Sequence, residues 1–334
     1  MDTVSHIVLG AAVGETILGR KIGRKAMLYG AIIGNIPDID VLGIFFLSDS
    51  KQLLFHRGIT HSLFFAVLIT ALFGWFCKKR IKNNWMLWTL MFFAAMLSHL
   101  LIDSFTCYGM GFFEPFSQHR ISFNTIFVVD PFYTLPFLVC MGLAFRAKNK
   151  TPLRKKWTII GLWISSTYLA FTLLNHVYVQ NVMKQSLEEQ KLAFDHFTVT
   201  PTPLNSFLWM GYSHDKNGAW IGYYSIFDNY KKIKYHRQQR NDSLLIPFQN
   251  KELVKNLKVL SKGNYCISKE DSIVYFNDIR FGQVSGWNTI ADEAYAFKFN
   301  LNKNADNKRA LNRLKYKEST SDWFVSLVNR IKGK

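Results

Sequence analysis

The first 103 residues carry histidines and aspartates of the types that bind divalent metal ions. They occur in four short motifs: His6 in SHIVLG, Asp38 and Asp40 in GNIPDID, His56 and His61 in HRGITHS, and His99 and Asp103 in SHLLID. Neutral imidazoles and carboxylates are typical ligands of zinc and other divalent metals. The surrounding sequence is apolar enough to span a membrane, where ionisable groups are costly and by default mark a functional site. The motifs therefore predict a metal centre at membrane depth.

Two of the motifs pair their ligands by spacing. His99 and Asp103 are four residues apart, so on a helix they share one face and can reach one ion or two adjacent ions. A buried hydrogen bond between the two side chains is the alternative. Asp38 and Asp40 follow the helix breaker Pro37 inside an apolar run, and their carboxylates would repel each other unless a cation or a proton lay between them. A solvated turn is the alternative, but the apolar setting favours metal.

The motif HRGITHS has two histidines, five residues apart, around a glycine. His56 and His61 do not share a helix face, but a loop that enters a helix can direct both inward, and the sequence leaves open which of them ligates. Arg57 is placed to bind an anion such as a phosphate group bidentately, or to serve as an anchor at headgroup level. We assign His6 to the centre because of these neighbours. For Asp130, a helix cap is favoured over a ligand.

Helices long enough to cross a bilayer must position these groups. A spanning helix needs about 20 mostly apolar residues. Four segments meet that need: 61–77, 85–103, 126–146 and 157–179. Segment 26–47 is also long enough, although the PDID motif interrupts it. Segment 4–19 is short and rich in glycine, which suits a re-entrant or partly inserted helix.

Composition divides the chain into two predicted domains. Of its 334 residues, 49% are hydrophobic and only 19% are charged. The charge deficit lies in residues 1–180, which predict a membrane-embedded helical domain that contains the metal site. Residues 181–334 predict a water-soluble domain. The net charge of +18 fits the lysine and arginine content of cytoplasmic loops, and no zinc finger or RNA-binding signature favours nucleic acid as a partner.

Basic residues cluster in alternate loops, at 20–25, 78–82 and 146–156. By the positive-inside rule, all three loops face the cytoplasm. The predicted ligands then collect at the opposite ends of the helices, on the extracytoplasmic side, and the C-terminal domain lies on that side too. The expected location is the cytoplasmic (inner) membrane.

The C-terminal residues predict a mainly antiparallel α+β domain. The runs at 207–213 and 219–227 are typical of the two strands of a hairpin, with a tight turn at Asn217 and Gly218. Further strands are predicted in NYCIS, DSIVYFNDIRFG and AYAFKFNLN, and a helix is predicted over 249–261. The expected fold class is therefore an α-helical multi-span membrane bundle followed by an extracytoplasmic α+β domain.

In order along the chain, SHIVLG, GNIPDID, HRGITHS and SHLLIDSFTCYG resemble the motifs of the YdjM-type membrane-bound metal-dependent hydrolases, over about the first 135 residues. That family is in turn distantly similar to zinc phospholipases C and fungal single-strand nucleases, which are helical bundles with zinc ions bound by His and Asp. The resemblance implies an HxxxD pair at His99 and Asp103. The remaining ligands of the nearest ions would be His6, Asp38 and either His56 or His61. Since no second HxxxE or HxxxD pair follows, one or two ions are expected instead of three.

Two hypotheses for function follow. The first is a metal-dependent hydrolase, in which one or two divalent ions, zinc or else manganese, activate water for attack on a lipid or phosphoester substrate at the outer face of the membrane. Arg57 would hold the anionic group, and the spare carboxylate of Asp40 would be the general base. The second is a non-catalytic membrane protein, with an ion or proton path or with a structural metal and a partner-binding C-terminal domain. Apolar inner halves of the spans argue against a path. Membrane lipids are expected partners in both cases, and the oligomeric state is left open.

Overall fold

A computed structural model of the chain describes residues 1–81, 83–149, 151–215, 217–229, 233–248, 251–283, 285–288, 295–302, 311–312 and 320–333. The chain forms two compact units. The helical unit consists of Met1–Gly43 and Phe55–Thr172, and the sheet unit consists of Ile44–Leu54 and Leu173–Lys334. The domain boundary predicted at residue 180 stays a prediction; residue 180 lies inside the helix Pro152–Glu189.

Helices dominate the chain up to residue 189. Their bounds are α1 Thr3–Ile22, α2 Lys25–Gly34, α3 Asp49–Phe55, α4 Leu63–Arg80, α5 Trp85–Ser104, α6 Pro131–Arg146 and α7 Pro152–Glu189. Two 3-10 helices, Pro37–Phe45 and Ile59–His61, lie between α2 and α4. Side-chain caps set several starts, because a carboxylate or hydroxyl oxygen accepts an otherwise unpaired N–H of the first turn. Asp2 caps α1, Ser62 caps α4 and Asp130 caps α6.

The helical region contains the expected candidate membrane spans. Among the described residues, α5 and α7 are long and apolar enough to cross a membrane. The number rises to four if each of two bent helix pairs is one span: Lys25–Gly34 with Pro37–Phe45, bent by 54°, and Ser50–His61 with Leu63–Arg80, bent by 52°. The span predicted over 126–146 is only the 16-residue helix α6, because the Asp130 cap starts the helix late. Segment 4–19 lies within one continuous 20-residue helix, α1.

Helices α1 and α2 touch backbone to backbone. A methyl group on Gly14 would lie 2.0 Å from the carbonyl oxygen of Ala26, and one on Gly30 would lie 2.1 Å from that of Gly10. Small residues of this kind let apolar helices pack closely in a membrane. A methyl group on Gly34 would lie 3.2 Å from the carbonyl oxygen of His6. The contact therefore places His6 beside the C-terminal end of α2.

In the described part of the sheet unit there are two four-stranded antiparallel sheets, ordered β1-β2-β3-β4 and β5-β6-β7-β8. The bounds are β1 His196–Pro201, β2 Leu208–Asp215, β3 Gly218–Ser225, β4 Tyr235–Gln239, α8 Glu252–Leu260, β5 Tyr265–Glu270, β6 Ile273–Asp278, β7 Lys298–Asn300, β8 Leu311–Asn312 and α9 Thr320–Ile331. The predicted hairpin is confirmed as β2 and β3. Its closing pair joins Asp215 to Gly218, so Gly218, predicted in the turn, is the first residue of β3.

Apolar clusters lie on both sides of the first sheet and against the second. Trp209 of β2 packs with Val179 and Met183 of α7 on one side of the first sheet. Its other side contributes Met210 and Ile221 to a cluster that includes Cys266 of β5. The second sheet packs against α8, whose Leu253 and Leu257 join Ile267 and Phe276. The described C-terminal region is therefore the antiparallel sheet domain that the sequence predicts, with two sheets instead of one.

Candidate metal centre

Four elements bring the predicted ligands together inside the helical unit. His6 comes from α1, Asp38 from the first 3-10 helix, His61 from the second, and His99 with Asp103 from α5. The three histidines and Asp103 are at most 1% exposed, whereas the Asp38 side chain is 22% exposed. The cluster is therefore buried, with Asp38 at its edge.

Two histidine nitrogens face each other at the middle of the cluster. The Nε2 atoms of His61 and His99 are 3.1 Å apart. The Nδ1 atom of His99 lies 2.7 Å from the carbonyl oxygen of Gly34, which as the last residue of α2 offers an unpaired acceptor. The Nδ1 atom of His61 lies 3.1 Å from the Thr60 hydroxyl and 3.3 Å from Asp40 Oδ2. A proton on each Nδ1 leaves both Nε2 lone pairs directed at the same point.

Two carboxylates lie beside these nitrogens. Asp38 Oδ1 is 3.4 Å from His61 Nε2 and 3.7 Å from His99 Nε2. Asp103 Oδ2 is 3.6 Å and 3.8 Å from the same two atoms. Two imidazole nitrogens and two carboxylate oxygens thus converge, which is the donor set that zinc and manganese accept.

His6 completes the cluster from the other side of Asp103. Its Nε2 atom is 3.2 Å from Asp103 Oδ1, and its ring stacks on that of His99 with centroids 3.7 Å apart. Neither ring nitrogen of His6 makes a hydrogen bond within the described part of the chain, although both are buried. Two sets have ligand atoms within 4.8 Å of one another: His6, Asp38 and His99, and His61, His99 and Asp103. His99 belongs to both.

Asp40 faces away from the convergence point and organises the loop beside it. Its Oδ2 atom accepts hydrogen bonds from the Arg57 backbone N–H at 2.7 Å and from the Thr60 hydroxyl at 3.1 Å. Its Oδ1 atom is 3.0 Å from His56 Nδ1. The carboxylate is therefore surrounded by donors, and it orients His56 and His61 together. His56 is in neither set of converging ligands, and its side chain is 26% exposed.

Arg57 lies inside the cluster with its guanidinium already engaged. Its Nε atom is 3.2 Å from Asp103 Oδ2, and a terminal nitrogen donates to the Thr106 hydroxyl at 3.1 Å. The group also lies over the Tyr108 ring, 4.8 Å from the centroid. The Met1 amino group contacts Asp103 as well. Asp103 thus has positive charge on one side and imidazole on the other.

Several contributors to the site were not recognised in the sequence. Thr60 lies within the HRGITHS motif and could have been found there. Arg120 gives no sequence signal, yet it is buried and donates to the carbonyl oxygen of His56 at 3.2 Å. Asp130 is confirmed as a helix cap, and its second oxygen accepts from the Tyr168 hydroxyl at 2.8 Å.

The residues present fit a divalent metal ion. In tetrahedral zinc sites the metal–nitrogen distance of 2.0–2.1 Å sets neighbouring ligand nitrogens about 3.3 Å apart, and the two Nε2 atoms here are 3.1 Å apart. The outer nitrogen of each ring is held by a protein acceptor, as is usual for histidine ligands of metals. The structure thus contains His and Asp clusters that could bind a metal.

Apolar helices that surround a buried polar cluster are typical of a membrane-integrated protein. A family model described as YdjM inner membrane protein matches residues 1–179, and the chain belongs to that family. The protein YfhP of Bacillus subtilis is 30% identical over 154 residues, which are 43% of this chain and 46% of YfhP. Inner membrane protein YbcI of Escherichia coli is 28% identical over 141 residues, which are 40% of this chain and 82% of YbcI. The match thus spans less than half of YfhP. No solved structure gives a significant match.

Proposed function

We propose that this chain is a membrane-bound, metal-dependent hydrolase. The observation that carries the proposal is the 3.1 Å approach of the Nε2 atoms of His61 and His99, each with its Nδ1 atom held by another group. Two lone pairs at this distance repel each other unless a cation or a proton lies between them. The carboxylates of Asp38 and Asp103 beside them favour a divalent cation.

The metal would be held by His61, His99 and Asp103, with Asp38 and His6 at its sides. A bound zinc or manganese ion would supply an activated water and polarise a phosphoryl or acyl oxygen. The fixed charge of Arg57, 3.2 Å from Asp103, would attract an anionic substrate group to the same place. This is a more indirect role for Arg57 than bidentate binding, because the guanidinium is occupied.

The proton-transfer group in this proposal is the pair of His56 and Asp40. His56 is part-exposed and can reach solvent, whereas Asp40 is buried. Asp40 holds His56 Nδ1 at 3.0 Å, which leaves Nε2 to accept the proton released when water attacks the substrate. The general base proposed at Asp40 would then act through the imidazole that it orients.

An apolar surface beside the centre supports a lipid or lipid-linked phosphoester as substrate. The 3-10 helix that carries Asp38 and Asp40 also exposes Ile39, Val41 and Leu42, by 55%, 49% and 52%. Exposed side chains of this kind are stabilised by lipid, not by water. A substrate held in the bilayer would therefore reach Asp38, the most exposed of the ligands.

We also propose that the centre faces the extracytoplasmic side. His6 and Arg20 lie on the same helix α1, separated by about 21 Å along its axis. Arg24 donates to the carbonyl oxygen of Arg146 at 3.0 Å, so two of the basic clusters lie at the same end of the helical unit. The positive-inside rule puts that end in the cytoplasm and the centre at the opposite end.

The test is metal content, measured by mass spectrometry on detergent-purified protein. We expect stoichiometric zinc or manganese in the wild type and none in the variant with His61→Ala and His99→Ala. His119→Ala, at an exposed position, is the matched control and should keep its metal. Metal-loaded wild type should hydrolyse members of a phospholipid and lipid-phosphate panel, and His56→Gln should reduce turnover while it keeps the metal.

Two results would overturn the proposal in different ways. An absence of bound metal, even after reconstitution with zinc or manganese, would mean that a proton relieves the His61–His99 repulsion and that the cluster is a buried polar network. Bound metal without hydrolysis of any panel member, and without exchangeable water by paramagnetic relaxation of the manganese form, would indicate a structural metal instead.

A further inference from the structure

The sheet unit includes a short stretch that continues directly from the first 3-10 helix, Ile44–Leu54. Near its start, Phe45 and Phe46 are 68% and 85% exposed. Phe45 ends, and Phe46 follows, the bent pair of α2 and the 3-10 helix, which together are long and apolar enough to cross a bilayer. Two adjacent phenylalanines so exposed would be costly in water and are stabilised by lipid. The two side chains are therefore suited to the acyl boundary of a bilayer.

Helix α8 is tied to this stretch within the same unit. The Asn256 side chain donates to the Ser50 carbonyl oxygen at 2.8 Å. Leu53 packs against the cluster that contains Leu253 and Leu257 of α8. Ser50 is four positions after Phe46, which limits their distance to about 14 Å even for an extended chain. Helix α8 is thus held near Phe46 within the same unit.

The outward face of α8 is basic. Four apolar residues of the helix, Leu253, Val254, Leu257 and Leu260, are buried, whereas Lys255, Lys258 and Val259 are exposed. Lys262, two residues beyond the helix, is exposed as well. The one exposed acid in the described helix is Glu252 at its start. The face is therefore complementary in charge to anionic lipid.

We propose that α8 docks on the anionic phospholipid headgroups of the same bilayer, with Lys255, Lys258 and Lys262 at the phosphates and Phe45 and Phe46 at the acyl boundary. Each lysine close to an anionic membrane surface favours the docked state about fivefold. The docked face belongs to the sheet unit and involves none of the metal-centre residues, so it does not depend on the proposed hydrolase activity.

The test is depth-sensitive fluorescence quenching on the full chain in nanodiscs. All four native cysteines are buried, so a thiol-reactive fluorophore can be directed to one introduced cysteine. Val259→Cys places the probe on α8 at a position that is 41% exposed, and Val325→Cys is the matched control on α9, at 56% exposed. Discs of phosphatidylcholine alone are compared with discs that also contain phosphatidylglycerol, each with a nitroxide-headgroup lipid as the quencher.

We expect severalfold stronger quenching at position 259 than at position 325, and a further increase with phosphatidylglycerol. Lys255→Gln combined with Lys258→Gln should remove that increase, whereas Lys184→Gln with Lys234→Gln, at exposed positions outside α8, should leave it intact. Equal quenching at the two probe positions would overturn the proposal. Stronger quenching at 259 that does not respond to phosphatidylglycerol would overturn it too, because the lysines would then play no part.

Discussion

Both units bury charged side chains, but the partners of those side chains differ between the units. In the sheet unit, Asp278 and Arg280 are 1% and 2% exposed, and the carboxylate accepts from the guanidinium at 3.0 Å and 2.6 Å. Each of the two side chains neutralises the charge of the other and is hydrogen-bonded to it. In the helical unit, the Nε2 atom of His6 lies 3.2 Å from Asp103, whereas those of His61 and His99 lie 3.6 Å and 3.8 Å away, beyond hydrogen-bond distance.

The difference separates a structural ion pair from a binding site. A buried pair with complete hydrogen bonds needs nothing more, and removal of one partner is costly because the other is left uncompensated. A cluster whose acceptors and lone pairs converge without enough donors is stabilised by an added cation. Equal burial therefore says little about function, whereas the balance of donors and acceptors is informative.

Removal of the acid in each unit gives the largest contrast. Asp103→Ala should abolish metal binding and lower stability by about 3–5 kcal/mol, because Arg57 stays buried without its partner. Asp278→Ala should be destabilising by a similar amount, yet should keep its metal. Metal analysis and thermal unfolding in detergent measure both effects. Loss of metal in Asp278→Ala would break the comparison, since the ion pair would then support the centre.

A smaller effect is expected from the glycine contact of α1 and α2. Gly14→Ala should destabilise the protein by about 1–3 kcal/mol, because the new methyl group would meet the Ala26 carbonyl and force the helices apart. His6 should move with α1, so metal affinity should fall as well. Gly142→Ala in α6 is the control, since nothing lies within 4 Å of the added methyl group. Similar unfolding temperatures for the two variants would contradict the contact.

Asp40→Asn tests the orientation of the ligands alone. Loss of a carboxylate that fixes a metal-binding histidine typically weakens metal binding by about 10–100-fold. We expect this loss with little change in unfolding temperature, measured by metal titration against a chelator of known affinity. Asp130→Asn keeps a good helix cap and lies outside the cluster, so it should bind metal as the wild type does. An unchanged affinity in Asp40→Asn would remove Asp40 from the site.

The smallest effect is a pH dependence at the β2–β3 turn. Hydrogen bonds from Arg237 lower the pKa of Asp215, so the pair stabilises the fold above the unfolded pKa of about 3.9 and loses that contribution as the pH falls through the lower folded value. Since the pair is part-exposed, Arg237→Gln should cost only about 0.2–1 kcal/mol at neutral pH. The difference in unfolding temperature from the wild type should shrink between pH 6 and pH 3. A constant difference would show that the charge is irrelevant there.

Residue type and short-range spacing predicted much of the candidate centre. The i, i+4 spacing of His99 and Asp103 suffices because one helix carries both. The direction in which Asp40 points could not be predicted, since it depends on the Arg57 N–H and the Thr60 hydroxyl across a turn. The same tertiary contacts distinguish His61, which faces His99, from His56, which does not. Motif spacing alone treats the two histidines alike.

The fold shows a similar division. Apolar runs and turn residues predicted α5, α8 and the β2–β3 hairpin, where local sequence determines the structure. Strand β4 was missed because its sequence YHRQQ has no apolar alternation, and it forms only by pairing with β3. The 16-residue length of α6 was also missed, since hydropathy does not register the Asp130 cap.

The hydrogen bonds of Asp40 have a consequence for how this family can diversify. They join the two ends of the stretch between Asp40 and Arg57, so that stretch is a loop closed at its base. The entropy cost of closing a loop rises only slowly with its length. Residues can therefore be inserted into this loop or deleted from it, or the loop can become part of another domain. The hydrogen bonds of Asp40 would keep the base of the loop unchanged. The fold therefore has a site for inserted segments directly beside Asp40, the residue that orients the candidate ligand His61.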